Sequence, residues 1–298
     1  MEEHTFTDTD GVDVFYRSWP RTDAKGVVVI AHGASEHSER YDRFARALND
    51  AGYAAYAIDH RGHGRTAEST GRGKVGPGSG DRLVDDLHDL VERAHVETPD
   101  VPVVLFGHSM GSLIGQAYVT RYGDGLAAYV LSGCPGPMEG AEEIGSGLRA
   151  AAEGGMADEP LDMLGPFNET FEPARTKYDW LSRDPDEVDK YVNDPLCGDD
   201  LPLTYGFVSE LIALSTPSME PEAIATIPLM PVLMITGERD PVSGMTANAR
   251  ELEKRLRNAG FDVRALYYPD ARHELLNEIN RDEVTADVVA WLDEVIAT

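Results

Sequence analysis

The chain has 298 residues, enough for one large globular domain that buries roughly three quarters of its extended surface without a disulfide scaffold. Hydrophobic residues at 42% and charged residues at 27% exclude wholesale disorder, collagen and coiled coil. With 53 Asp and Glu against 26 Lys and Arg, the formal charge of -27 repels phosphate backbones and anionic bilayers, so nucleic acid is excluded as an expected partner.

The opening stretch alternates Val12, Val14, Tyr16 and Ser18 with Asp13, Phe15, Arg17 and Trp19, which reads as an antiparallel pair at a sheet edge. Strands then follow at Val27 to Ala31, Ala54 to Ile58, Val101 to Phe106 and Leu126 to Leu131, with amphipathic helices at Tyr41 to Ala51, Leu83 to His95 and Leu113 to Tyr122 between them. Hydrophobicity that is continuous rather than alternating means that both faces of a strand are covered, as in a parallel sheet between helix layers. From about Pro135 to Pro228 the rhythm breaks into scattered Gly and Pro, helical pieces at Met138 to Ala152 and Tyr205 to Leu214, and the exposed-looking aromatics Phe167, Phe171, Trp180 and Phe207. About 90 residues between two strands is too long for a plain loop, so this segment is expected to be a cap over one edge of the sheet. Strands at Val232 to Ile235 and Val263 to Tyr267 and helices at Met245 to Asn258 and Val284 to Ile296 complete the pattern; Val284, Val288, Trp291, Leu292 and Val295 form a helical stripe.

Repeated strand and helix predict an open α/β sheet with right-handed crossovers. The expected domains are a core of residues 1–134 and 229–298 and a cap of residues 135–228. No run approaches the roughly 20 apolar residues of a membrane-spanning helix. Met1-Glu2-Glu3-His4 lacks the basic start and apolar core of a signal peptide, and Cys134 and Cys197 read as reduced structural thiols, so a cytoplasmic location is expected.

Four local patterns are set aside on context. Gly71 to Gly76 matches G-x-G-x-x-G, but no strand precedes it and Pro77 follows, so it reads as a flexible loop. Asn168-Glu169-Thr170 is a glycosylation sequon without a secretory context, and Asp8, Asp10 and Asp13 lack the glutamate that completes a calcium loop. His60 and His63 lie in a glycine-rich turn with only Asp59 as a neighbouring oxygen donor, and no metal is assigned to them.

The chemistry is carried by Gly107-His108-Ser109-Met110-Gly111, a G-x-S-x-G between a buried strand and a helix. Such a turn strains the serine backbone and pushes its hydroxyl clear of the sheet, while Gly107 and Gly111 are needed because side chains there would collide with neighbouring backbone. A serine hydroxyl needs a base, and the base needs an orienting group. Of the nine histidines, His273 lies in the loop after the last strand, where catalysts gather in open α/β sheets. Glu238 and Asp240 end the strand before; Asp240 is preferred because it occupies the turn beyond Gly237, from which a short side chain reaches the neighbouring loop. His32-Gly33-Ala34-Ser35 follows the first parallel strand, so the backbone N–H groups of Ala34 and Met110 are the expected oxyanion donors. His32 and His108 flank these loops as supporting hydrogen-bonders.

Taken together, His32 to Tyr41, Asp59-His60-Arg61-Gly62-His63-Gly64, Gly107 to Gly111, Gly237 to Asp240 and His273-Glu274 resemble the α/β-hydrolase superfamily. Within it they resemble the monoacylglycerol lipase and lysophospholipase-like serine hydrolases of the serine aminopeptidase S33 type. The resemblance implies an α/β-hydrolase fold with a helical cap inserted between two late strands, no metal or organic cofactor, and a cap that admits one acyl chain. Phe167, Phe171, Trp180, Phe207 and Leu211 are the expected acyl-lining residues. The implied activity is carboxylic ester hydrolysis through an acyl-enzyme, with single-chain lipid esters such as monoacylglycerols as substrate and no integral membrane association. Lysophospholipids and short-chain esters are the alternatives. A serine aminopeptidase would use carboxylates such as Glu139, Glu142 and Glu143 to hold an ammonium, and a non-catalytic binding module would have a broken triad.

Overall fold

The computed structural model describes residues 1–296. Eight strands form one sheet: β1 Glu2–Thr7, β2 Asp13–Trp19, β3 Gly26–Ala31, β4 Tyr53–Ile58, β5 Val103–His108, β6 Ala128–Ser132, β7 Val232–Gly237 and β8 Val263–Tyr268. Their order across the sheet is β1-β2-β4-β3-β5-β6-β7-β8, with β1, β2 and β4 joined antiparallel and every other neighbour parallel. The helices are α1 Asp42–Asp50, α2 Ala67–Thr70, α3 Asp81–Glu97, α4 Met110–Tyr122, α5 Ala141–Ala151, α6 Pro185–Val192, α7 Tyr205–Ser218, α8 Pro221–Ile224, α9 Ala247–Asn258 and α10 Arg281–Ile296.

The alternation of side chains along each strand divides the core into two layers. Val27, Val29, Leu105, Leu131 and Met234 face α3, α4 and α9, whereas Val28, Ile30, Phe106, Val130 and Leu233 face α1 and α10. The connection after β3 runs to one side of the sheet, to β4, whereas the connection after the neighbouring β5 runs to the other side, to β6. This is the switch point at which open α/β sheets bind ligands beyond the strand C-termini. Ala31 pairs with Gly107 there, so the loops that leave β3 and β5 emerge side by side.

Several expectations are corrected by packing. The third parallel strand starts at Val103 rather than Val101, because Pro102 has no N–H to give and instead offers its carbonyl to the N–H of Val27 at 2.9 Å; it extends to His108 because that residue still pairs with Ser132. β2 pairs antiparallel with β1 at the sheet edge as expected, and is buried on both faces from Val14 to Trp19. Arg65 lies over the Phe15 ring, the Arg17 guanidinium donates to Ser38 Oγ at 2.7 Å, and Trp19 Nε1 donates to Asp42 at 2.8 Å. The loop at Gly71 to Gly76 is tied down rather than free: Gly73 N–H bonds Gly62 O at 2.9 Å, and its carbonyl accepts from Thr204 N and Oγ1. Residues 133–231 contribute no strand to the sheet among the described residues, and α5, α6, α7 and α8 lie within this segment. Of its exposed-looking aromatics, Trp180 and Phe207 are buried and Phe167 and Phe171 half-buried, because the segment packs its own small core and also closes on the main one.

Candidate active site

Ser109 stands at the apex between β5 and α4, with φ 51° and ψ -116°, a region that a residue with a side chain rarely enters. What keeps it there is backbone on every side. Its N–H donates to Ser132 O at 2.9 Å, and its carbonyl accepts from the hydroxyl and N–H of Ser112 at 2.6 and 2.9 Å. A Cβ on Gly107 would lie 2.6 Å from Gly111 O, and one on Gly111 would lie 2.1 Å from Ala31 O, so both glycines are required by close approach. Sequence reasoning reached both for this cause.

The carboxylate and the imidazole arrive from the ends of β7 and β8. His273 Nδ1 lies 3.0 Å from Asp240 Oδ1, with both side chains buried, while Glu238 is exposed. The same Asp240 oxygen accepts from Val242 N–H at 2.9 Å. Burial alone pushes His273 down, but the Asp240 charge and hydrogen bond, with the Glu274 and Glu36 charges, outweigh it and hold the imidazole above its ordinary pKa. The ring is walled by His108 and Trp180, at centroid distances of 4.8 and 5.1 Å. Gly133, at φ 54°, is a position the sequence did not flag: a Cβ there would lie 3.0 Å from His273 Nδ1.

The loop after β3 passes directly against the elbow, since a Cβ on Gly33 would lie 3.3 Å from Ser109 Cβ. Neither the N–H of Ala34 nor that of Met110 has a hydrogen-bond partner among the described residues. Glu36 braces this loop: its Oε1 accepts from Gly33 N–H at 2.5 Å and Tyr41 OH at 2.8 Å, and its Oε2 accepts from Arg40 at 2.5 Å. Arg40 also forks onto Glu274 at 2.6 and 2.7 Å, which ties the loop after β3 to the residue after His273. Burial raises the Glu36 carboxyl, but the Arg40, His108 and His32 charges and the Gly33 N–H pull it to about 2. This buried Glu-Arg-Glu chain went unread in the sequence. The signal was present as charged residues spaced within two otherwise recognised motifs.

The five residues expected to line an acyl site fall in two places. Phe167 packs on Trp180, and Phe171 sits under Arg272, all beside the His273 loop; Phe207 and Leu211 belong to the main core, with Phe207 edge-on to His63. None of the five lines the cavity of about 480 Å³ formed by Leu113, Pro135, Met138, Ile212, Met219 and Val242, with Glu139, Glu251 and Arg255 also in its wall. Its wall is tied to the candidate catalytic residues twice: Leu113 N–H bonds Ser109 O at 3.3 Å, and Val242 N–H bonds Asp240. His32, His60 and His63 pack ring to ring; burial pushes His63 down to about 3 and His60 and His32 below their ordinary value. The described residues bring one other donor set together, His37, Asp194 and Cys197, within 4.8 Å, where His37 Nε2 is already paired with Asp194 at 2.9 Å.

The sequence matches the family described as serine aminopeptidase, S33, over residues 22–280. It is 35% identical over 294 residues to a monoacylglycerol lipase of Mycolicibacterium smegmatis (strain ATCC 700084 / mc(2)155), covering 97% of this chain and 96% of that one. It is 29% identical to the monoglyceride lipase of Mus musculus, covering 91% of this chain and 86% of the relative. Among solved structures, the fold superposes with a TM-score of 0.92 on a thermostable carboxyl esterase from Bacillus coagulans in complex with glycerol, at 30% identity over 99% of this chain and 98% of that one.

Proposed function

The chain belongs to the serine aminopeptidase S33 family, and from that premise we propose that it is a serine ester hydrolase that cleaves monoacylglycerol-like esters through Ser109, His273 and Asp240. The observation that carries the reading is the strained Ser109 elbow together with the buried His273–Asp240 pair at the ends of neighbouring strands.

In the proposed reaction Asp240 holds the imidazole through Nδ1, leaving Nε2 to take the Ser109 proton as Oγ attacks the ester carbonyl. The carbonyl oxygen becomes an oxyanion held by the N–H groups of Ala34 and Met110. Collapse of the intermediate returns the proton from His273 to the departing glycerol oxygen; water then attacks the acyl-enzyme by the same route and releases the fatty acid. The segment 135–228 acts as the cap, and the cavity beneath it, with Leu113, Met138, Ile212 and Val242 in its wall, takes the acyl chain. Phe167 and Trp180 serve to wall the His273 loop, a role their packing supports.

An aminopeptidase would need free carboxylates facing the substrate ammonium. Glu142 and Glu143 are exposed on the first turn of α5, and Glu220 and Glu251 are engaged by Arg255, which leaves Glu139 alone at the cavity; the ester reading is favoured. No helix among the described residues is long and apolar enough to cross a membrane. A cytoplasmic location is part of the proposal, supported by two buried free thiols, Cys134 and Cys197.

The test is the initial rate on glycerol and nitrophenyl esters of increasing acyl length, with Ser109→Ala beside the parent. Loss of the serine is expected to cost on the order of a million-fold in kcat. An active Ser109→Ala, or a parent that hydrolyses no ester, overturns the reading.

A further inference from the structure

We propose that the cavity of about 480 Å³ selects an acyl chain that carries a hydroxyl part-way along its length, held by Ser215 and Thr216 of α7 and Asn248 of α9. The inference rests on the reading that this cavity takes the acyl chain of an ester attacked by Ser109. α7 lines the cavity with Ile212, Ser215, Thr216 and Met219, spaced by three and four residues and so on one helical face. A plain alkyl chain asks for an unbroken apolar stripe. Here the stripe is interrupted in its middle by two hydroxyl side chains.

Their hydrogen bonding sets these two apart from their neighbours. A Ser or Thr inside a helix commonly settles its hydroxyl on a carbonyl three or four residues back. On α7 Ser209 does so on Gly206 O at 2.9 Å, and Ser218 on Ser215 O at 2.7 Å. Ser215 and Thr216, the two that line the cavity, do not, and their hydroxyls have no partner among the described residues. From α9 the side-chain amide of Asn248 joins the wall, likewise without a partner among the described residues. Its place is set by its surroundings: Asn248 N–H bonds Ser243 O at 3.0 Å, and a Cβ on Gly244 would lie 3.2 Å from Asn248 Cγ. Ser243 Oγ in turn donates to Asp240 O at 3.1 Å, which couples the amide to the loop that carries the candidate catalytic carboxylate.

The chemistry of these groups defines the ligand. A hydroxyl donates and accepts, and an amide offers both N–H and carbonyl oxygen, so together they suit a group that is itself donor and acceptor, an alcohol. Ile212, one turn before the hydroxyls, and Met219, one turn after, suit methylenes on either side of it. Arg255 is committed to Glu251, Glu220 and the Met219 carbonyl, which disfavours a chain that ends in a carboxylate. An unsubstituted chain would cover the three polar side chains without returning a hydrogen bond, and that desolvation penalises it. Ser215 is buried but Thr216 and Asn248 are half-buried, so the penalty is partial and the preference moderate.

The probe is a set of monoacylglycerols of one chain length in which a single hydroxyl is moved stepwise from the carbonyl end to the methyl end, with the unsubstituted chain as reference. For the parent, kcat/KM is expected to favour a mid-chain isomer over the reference by about tenfold. In the double variant Ser215→Ala, Thr216→Val, and separately in Asn248→Leu, that ratio should fall to within about twofold of unity, because the isomer loses rate and the reference does not. A merely structural role would lower both substrates together; a ratio that survives in both variants therefore overturns the assignment. A parent that cleaves the reference at least as well as every isomer overturns the inference and leaves the esterase reading standing, and this comparison decides alone should neither variant fold. A parent that cleaves no ester overturns both. Glycerol and ethyl esters of the same acids complete the test: a change in the variants that follows the alcohol rather than the chain gives the polar wall to the head group and overturns the inference.

Discussion

At the residue scale the proposed general base, His273, sits where burial and nearby carboxylate charges act in opposite directions. Burial would make His273 a weaker base than a free imidazole, and the carboxylates of Asp240, Glu274 and Glu36 more than reverse this. A general base works only when neutral, so activity must appear as pH rises through the His273 pKa of the folded protein. Because that value is raised, the acid limb of kcat/KM is expected above the ordinary 6.5 of a free imidazole. Asp240→Asn removes one charge and the hydrogen bond but leaves the burial; the limb should then move to lower pH, with activity down on the order of ten-thousandfold. A pH profile of kcat/KM for both proteins checks this, and a limb that stays in place after Asp240→Asn would detach Asp240 from the base. Asp240 Oδ2 is buried without a partner among the described residues, so the carboxylate depends on its other oxygen for the contacts that orient it.

At the scale of elements, the strand ends carry Ser109, Asp240 and His273, and the 133–231 segment holds the proposed cap. α7 and α5 pack on each other over α4, and Thr216 on α7 is half-buried in the wall of the cavity. Thr216→Trp should fill part of that volume: kcat/KM on long-chain monoacylglycerols is expected to fall at least about tenfold while short nitrophenyl esters are cleaved as before, a split that rates across acyl length would reveal. Equal loss on both would place the acyl chain elsewhere. The same division explains what could be read in advance. β3, β5, β6 and β7 were legible because burial on both faces writes uninterrupted apolar runs, and Ser109 was legible because the elbow demands glycine at fixed offsets. The segment's lining was not. Phe207 and Leu211 carry the apolar pattern of a lining helix, yet that face of α7 packs into the main core, and the cavity is bounded instead by Ile212 and Thr216. Periodicity gives a helix a buried face; it does not say whether protein or substrate covers that face. The Glu36–Arg40–Glu274 chain escaped for the opposite reason, because its partners are 234 residues apart in sequence and no local spacing joins Arg40 to Glu274.

Across the whole molecule, charge is the dominant long-range term. The 26 cationic side chains are largely consumed in ion pairs, among them the fully buried Arg61 between Asp8 and Asp86, and 53 carboxylates leave an excess that no partner balances. Like charges at that density repel across the surface and oppose the compact state. Salt has two opposed effects here: it screens exposed pairs such as Arg175–Asp189, each worth only about 0–1 kcal/mol, and it screens the unpaired excess. Buried pairs such as Arg61–Asp86 and Arg40–Glu274 are little affected, since screening acts through solvent. The repulsion relieved should therefore exceed the attraction lost. Between about 20 mM and 1 M KCl, over which the Debye length contracts from roughly 20 Å to about 3 Å, Tm is expected to rise by about 5 °C. A scan in sucrose of equal osmolality separates this from exclusion effects. A Tm that falls with KCl would mean that the exposed ion pairs, rather than the surplus carboxylates, govern the stability of this acidic fold.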